Sequence, residues 1–133
     1  MGKHTGVSLA ALPVGPVIPV SDLDRSLEFY EGALGLSGEA IPAGYLLHCG
    51  GDTVIYLLAG TGYAGRADWP LASFATERLE EVVDALDDRG VELVRFDDGP
   101  QRTDERGIAE LDGVRIAWVR DPDRQVLSIF QPL

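Results

Sequence analysis

The stretch Pro16–Leu36, PVIPVSDLDRSLEFYEGALGL, decides the fold, because it sets a strand, a turn and an amphipathic helix directly one after another. Val17–Val20 is a short β-branched run, and Pro19 inside it marks an edge or irregular strand, since proline has no N–H to give a ladder. Ser21 is the candidate helix cap. Asp22 and Asp24 follow in the first turn, where carboxylates oppose the helix dipole, and Leu23, Leu27, Tyr30 and Leu34 recur at helical spacing. Gly35 is placed to end the helix.

Working outward, Tyr45–Cys49 and Thr53–Ala59 read as strands joined by a glycine hairpin, Gly50-Gly51-Asp52. The glycine-rich segment 60–70, GTGYAGRADWP, is a joint between halves. It lacks the lysine and the strand-to-helix setting of a phosphate cradle. Then the opening unit returns: a strand at Leu71–Phe74 and a helix within residues 76–90, TERLEEVVDALDDRG. Thr76 is its candidate cap, Leu79, Val82, Val83 and Leu86 lie on one face, and Gly90 stops it. Val91–Phe96 reads as a strand, residues 97–107 (DDGPQRTDERG) as a polar loop, Ile108–Leu111 and Val114–Arg120 as a hairpin through Asp112-Gly113, and Val126–Phe130 as the closing strand.

The order is β-α-β-β, with room for one more short strand, and then the same again, a duplication at module level. Amphipathic helices must cover one face of the strands, so a layer of helices over a curved, mostly antiparallel sheet follows, with a concave face left for a small molecule. The fold class is α+β: paired βαβββ modules forming a curved mixed sheet with helices on the convex side. One domain spans 1–133, with module one at about 13–62, module two at about 68–133 and an N-terminal arm over 1–12.

Composition bounds the function. A chain of 133 residues suits one compact domain, and no apolar run approaches the roughly 20 residues of a membrane span. The formal charge of −11 argues against nucleic acid or an anionic membrane as a partner and favours a cationic ligand, although such charge also serves solubility. The N-terminus has no full signal-peptide core, so the chain reads as cytoplasmic. Cys49 is the only cysteine, which excludes an internal disulfide or a cysteine zinc site, and no base stands near it in sequence to activate its thiol. It reads as a small buried hydrophobe.

Residues 19–36, PVSDLDRSLEFYEGALGL, and 119–131, VRDPDRQVLSIFQ, resemble the vicinal oxygen chelate superfamily, which includes glyoxalase I, extradiol dioxygenases and bleomycin-resistance proteins. The resemblance implies paired βαβββ modules over nearly the whole chain. It implies less about activity, because this fold hosts lyases, isomerases, dioxygenases and drug binders. Metal-using members place one ligand on each of four strands, drawn from His, Glu and sometimes Gln or Tyr. By that resemblance the positions fall here on Gly15, Tyr56, Trp69 or Pro70 (with Asp68 beside them) and Ser128. None is a usual ligand, so no metal and no cofactor is expected. One further departure is Arg124, where the family's turn carries glycine; a positive φ would strain arginine, so a different turn type is expected.

His4 lies in the arm, which leaves His48 as the remaining imidazole. It is either a structural residue or, with Tyr56, an acid/base pair. Tyr56, Trp69, Ser128, His48 and Trp118 form the expected ligand-binding set, offering aromatic walls and hydroxyls to an aromatic or cationic compound. Each has a plainer reading: Trp69 as packing of the joint, Trp118 as core, Ser128 as a satisfied hydroxyl. Arg102, Asp104, Glu105 and Arg106 read as solvated surface or as a lid. By resemblance the chain is a homodimer that binds a small molecule without metal, as bleomycin-resistance proteins do. The alternative is a glyoxalase-like lyase, isomerase or dioxygenase with an atypical metal or acid/base site.

Overall fold

The computed structural model describes residues 8–133. His4 and the rest of the first seven residues of the expected arm lie outside them.

Strand β1 (Val17–Val20) leads into helix α1 (Leu23–Leu27), which is capped by Asp22, not Ser21: the Asp22 carboxylate accepts the Arg25 N–H at 3.2 Å. Ser21 instead bonds the Asp123 carboxylate of module two. Past Leu27 the helix widens into π-type turns over Glu28–Ala33, closed by Leu34 N–H to Phe29 O at 2.9 Å and Leu36 N–H to Tyr30 O at 3.0 Å.

Strands β2 (Ser37–Ile41), β3 (Gly44–His48) and β4 (Val54–Ala59) complete module one. The sheet order is β1-β4-β3-β2, parallel between β1 and β4 and antiparallel elsewhere. Pro19 is tolerated because β1 lies at the edge.

Module two repeats this plan. Strand β5 (Ser73–Ala75) runs parallel to β9 (Val126–Pro132), which pairs antiparallel with β8 (Val114–Arg120). Helix α2 (Leu79–Asp88) buries Leu79, Val83 and Leu86. Thr76 does not cap it directly; the Leu79 N–H donates to the Gln131 side chain at 3.0 Å, tying the helix start to β9.

The free edge of β8 is covered by two short strands, β6 (Glu92–Leu93) and β7 (Ile108–Leu111). Leu93 pairs with Val119, the Val94 N–H bonds Trp118 O at 2.8 Å, and Ile108 pairs with Ala117. These are consecutive positions on β8, so β6 and β7 are one strand cut by an excursion over residues 95–107. The expected strand Val91–Phe96 is short because the chain leaves the ladder after Val94. Ile41 pairs with Gly44 and Leu111 with Val114, so both modules close this hairpin with a two-residue turn, Pro42-Ala43 and Asp112-Gly113. The duplication is therefore strand for strand, and the curved sheet is present as two sheets, one per module.

One core joins the helix faces of both. Ile18, Tyr30, Leu47 and Leu57 of module one cluster with Leu79, Val83, Val119 and Ile129 of module two. Helix α1 belongs to module one yet docks on module two: the Tyr30 hydroxyl donates to buried Asp121 at 2.8 Å, and Arg25 pairs with Asp123 at 3.1 Å. Beyond α1, Leu34 and Leu36 meet Phe74, Val82, Leu86 and Val119 around an apolar void of about 120 Å³.

The joint docks on the same turn through Gly65, where φ is 71° and a Cβ would collide with the Asp123 carbonyl. Arg124 sits in this turn at φ 65°, so the expectation of another turn type does not hold. Its N–H bonds Asp121 O at 2.8 Å, its carbonyl accepts Arg120 at 3.1 Å and its guanidinium meets Glu92 at 3.2 Å. These contacts offset a left-handed backbone cost of about 1 kcal/mol. Among the described residues no helix is long and apolar enough to cross a membrane.

Candidate functional site

Strand alternation divides each sheet into a helix-facing side and an open side, and directly paired residues share a side. In sheet one Ile55 and Leu57 face the helices, so Tyr56 faces outward in the row Glu39, Leu46, Tyr56, Val17. The next row is Ser37, His48 and Val54. His48 lies diagonal to Glu39, and its Nε2 is 3.2 Å from the carboxylate, with both side chains more than half exposed. Tyr56 lies diagonal to His48 on the same side. Its hydroxyl has no hydrogen-bond partner among the described residues.

In sheet two Leu127 and Ile129 face the helices, which turns Ser128 outward in the row Ser73, Ser128, Trp118. Ser128 is only 3% exposed, and its hydroxyl donates to the Ser73 hydroxyl at 2.7 Å. Trp118 is half-buried and outside the core cluster, so core packing does not account for it. The Phe96 ring meets it edge to face, with centroids 5.4 Å apart and planes at 86°. On one side of this row stand Ile116 and Phe130; on the other Arg120 is held by Glu92 at 3.6 Å.

The structure thus brings Ser128 and Trp118 together, and His48 with Tyr56, on two separate sheets. Trp69 joins neither. It lies four residues ahead of β5, 63% exposed, and its carbonyl accepts the Gln125 amide at 2.9 Å. Two residues escape the sequence reading. Ser73 is the true neighbour of Ser128, and the signal for it is the pairing of β5 with β9, matching that of Val17 with Tyr56. Phe96 reads as strand, and nothing in sequence tells which side it takes.

The outward-facing residues at the paired centres of β1–β4 and β5–β9 are Val17, Tyr56, Ser73 and Ser128. They do not fit a divalent ion: no carboxylate or imidazole stands among them, and the two hydroxyls satisfy each other. Gly15 precedes β1, and a Cβ there would lie 2.5 Å from the Val54 carbonyl, so no donor side chain fits. Among the described residues no three His, Cys, Asp or Glu side chains form a cluster able to hold an ion.

Two larger hollows lie elsewhere. A cleft of about 580 Å³ runs between Val14, Pro16, Val54 and Leu71–Ala75, with Cys49 in its wall, and burial pushes that thiol above its ordinary range. A groove of about 470 Å³ is lined by Arg102, Thr103, Asp104, Ile108, Glu110 and Arg115. Neither is lined by Tyr56, Trp118 or Ser128. Two of the four loop charges are tied down: Arg106 pairs with Asp84 at 3.1 Å, and the Asp104 carboxylate accepts the N–H groups of Arg106 and Ile108 at 2.9 Å each.

Two βαβββ units with open sheet faces opposite their helices define a paired-module α+β scaffold. The chain belongs to the Glyoxalase/Bleomycin resistance protein/Dioxygenase superfamily, whose family model matches residues 10–129. No curated protein matches it.

Among solved structures it is similar to TnmS3, an antibiotic binding protein from Streptomyces sp. CB03234, at 25% identity and TM-score 0.67, covering 92% of this chain and 98% of that one. It is also similar to the oxidase ChaP-H1, at 21% identity and TM-score 0.68, covering 93% and 98%. A glyoxalase/bleomycin resistance protein/dioxygenase from Alicyclobacillus acidocaldarius matches at 15% identity and TM-score 0.70, covering 92% of each chain. The last two likenesses show the fold alone.

Proposed function

We propose that this chain is a metal-independent, cytoplasmic small-molecule-binding protein of the bleomycin-resistance type, taking an aromatic or cationic compound on its open sheet faces. One observation carries the reading. The paired central positions hold an aliphatic side chain, a phenol and two hydroxyls bonded to each other, with an aromatic pair beside the latter, a set that favours a binding surface over a chelate. The likeness to an antibiotic binding protein supports the same direction. Trp69 belongs to this reading only as a flanking residue.

A homodimer fits best. Tyr56 and Trp118 lie on separate sheets and line neither of the two larger hollows, which favours a second copy as the opposing wall. A second copy would set Tyr56 of one chain across from Trp118 of the other.

The test is the metal content of the purified protein, together with thermal shifts on adding Ni, Co, Fe, Mn or Zn. Substoichiometric metal and no shift are expected. A stoichiometric ion with a large stabilisation overturns the reading. A second reading, metal-free acid/base catalysis, rests on the His48–Glu39 contact, which orients an imidazole beside Tyr56. It requires that His48→Gln abolish a turnover that ligand binding survives.

A further inference from the structure

We propose that Phe96 is a specificity-determining residue of the module-two face. With Trp118 it makes an aromatic corner that takes a planar aromatic cation, and the acidic loop tip beside it selects for positive charge. This rests on the binding reading above and names the chemistry of the ligand.

Packing does not explain the pair. Neither ring belongs to the core cluster, yet both are half-buried and meet at 86°. Two rings at a right angle leave a face of each toward a guest, so a flat molecule can stack on one while presenting its edge to the other.

The backbone holds Phe96 by a device separate from the sheet. The ladder ends at Val94, and Thr103 then clamps Phe96: the Phe96 N–H donates to the Thr103 hydroxyl at 3.0 Å, and the Thr103 N–H donates to Phe96 O at 3.0 Å. The Thr103 hydroxyl in turn donates to Phe96 O at 3.2 Å. Arg95 braces the far side of the loop by donating to Glu105 O at 2.7 Å. The clamp fixes the ring and leaves 97–102 as a projecting tip.

Charge points to a cation. Asp97 and Asp98 follow Phe96 directly and are exposed, outnumbering Arg102 at the far end of the tip, and Arg120, two residues along β8 from Trp118, is already held by Glu92. That guanidinium already has the Glu92 carboxylate and the Arg124 carbonyl as partners, and tryptophan is the strongest aromatic partner for a cation. The net charge of −11 adds to the attraction.

The experiment uses the full chain carrying Trp69→Phe, so that Trp118 is its single tryptophan. Three probes share one ring system at pH 8: 10-methylacridinium, neutral acridine and acridine-9-carboxylate. Calorimetry gives affinity, and Trp118 quenching gives location. The expected order is cation over neutral over anion, with about tenfold between the first two. Phe96→Ala and Phe96→Leu should each weaken the cation about tenfold while lowering the melting temperature by only a few degrees, and Asp97→Asn/Asp98→Asn should reduce only the preference for charge.

Equal binding of all three probes, or wild-type affinity in both Phe96 variants, overturns the proposal while the binding reading survives through Trp118→Leu. Absence of any probe binding to the unsubstituted face overturns both. Retained cation affinity in Phe96→Leu alone reduces the ring to apolar bulk and equally overturns the proposal.

Discussion

Tyr30→Phe should unlatch the two modules, and its cost can be worked from the contacts. Tyr30 is fully buried and its hydroxyl donates to one oxygen of Asp121, which is 5% exposed. The other Asp121 oxygen accepts the N–H groups of Asp123 and Gln125, each at 2.9 Å. Removing the phenol hydroxyl leaves a buried carboxylate oxygen without a donor, at a cost of about 1.5–3 kcal/mol. For a chain of this length that lowers the melting temperature by roughly 5–10 °C.

The pH dependence has a definite sign. Burial raises the Asp121 carboxyl above its ordinary range, against hydrogen bonds that lower it, with the Tyr30 bond foremost among them. The folded state therefore holds this proton to higher pH than the unfolded chain does. The resulting stability is complete below the unfolded pKa and is lost as pH rises through the folded one. Without the Tyr30 hydroxyl the folded value climbs further, so Tyr30→Phe costs more at pH 7 than at pH 4.

Asp121→Asn removes the charge and keeps an acceptor, and on that background Tyr30→Phe should cost only about 1 kcal/mol. Thermal and urea unfolding of the parent, the two single variants and the double variant at both pH values provide the assay. Two results would refute the reasoning: an equal cost of Tyr30→Phe at pH 4 and pH 7, or a cost at pH 7 that is the same whether Asp121 is retained or replaced.

Three further outcomes follow from particular residues. In a dimer with pockets between chains, mixing and refolding Tyr56→Ala with Trp118→Ala should restore about one quarter of the pockets, since half the dimers are mixed and each of those has one intact pocket; titration showing no regain places the pocket within one chain. Ser26 is fully buried in α1 with no hydrogen bond to its hydroxyl among the described residues, so Ser26→Ala should stabilise by about 1 kcal/mol in urea unfolding, and a loss would reveal a hidden partner. Arg124→Gly should stay within about 0.5 kcal/mol of the parent, as backbone relief offsets the lost Glu92 contact, whereas Arg124→Val should lose about 1–2 kcal/mol; equal stabilities would mean that the positive φ carries no cost.

Much of the architecture is legible in the sequence, and the rest is hidden for physical reasons. Helix α2 and the hairpin through Asp112-Gly113 are plain because periodicity and turn chemistry agree there. Strand β2, Ser-Gly-Glu-Ala-Ile, has little intrinsic strand preference; its pairing with β3 forms it, and no local signal precedes that pairing. Ser21 and Asp22 are equally good caps by type, and only the distant Asp123, which takes the serine, separates them. Tyr56, Ser128 and Trp118 can be assigned to strands, but their sides depend on register with partners far along the chain. Ser73 and Phe96 stay hidden for that reason, and Trp69 stands out only because tryptophan is rare.

The severed edge strand has a consequence for how such a chain can change. Because Leu93 and Ile108 flank the excursion yet meet nearly adjacent positions on β8, the sheet re-enters its register whatever length lies between. Closing a longer loop costs little, about 0.6 kcal/mol per doubling. Insertions and deletions at this splice leave every strand pairing intact while they reshape the rim next to Trp118. Ligand preference can therefore drift here without passing through unfolded ancestors.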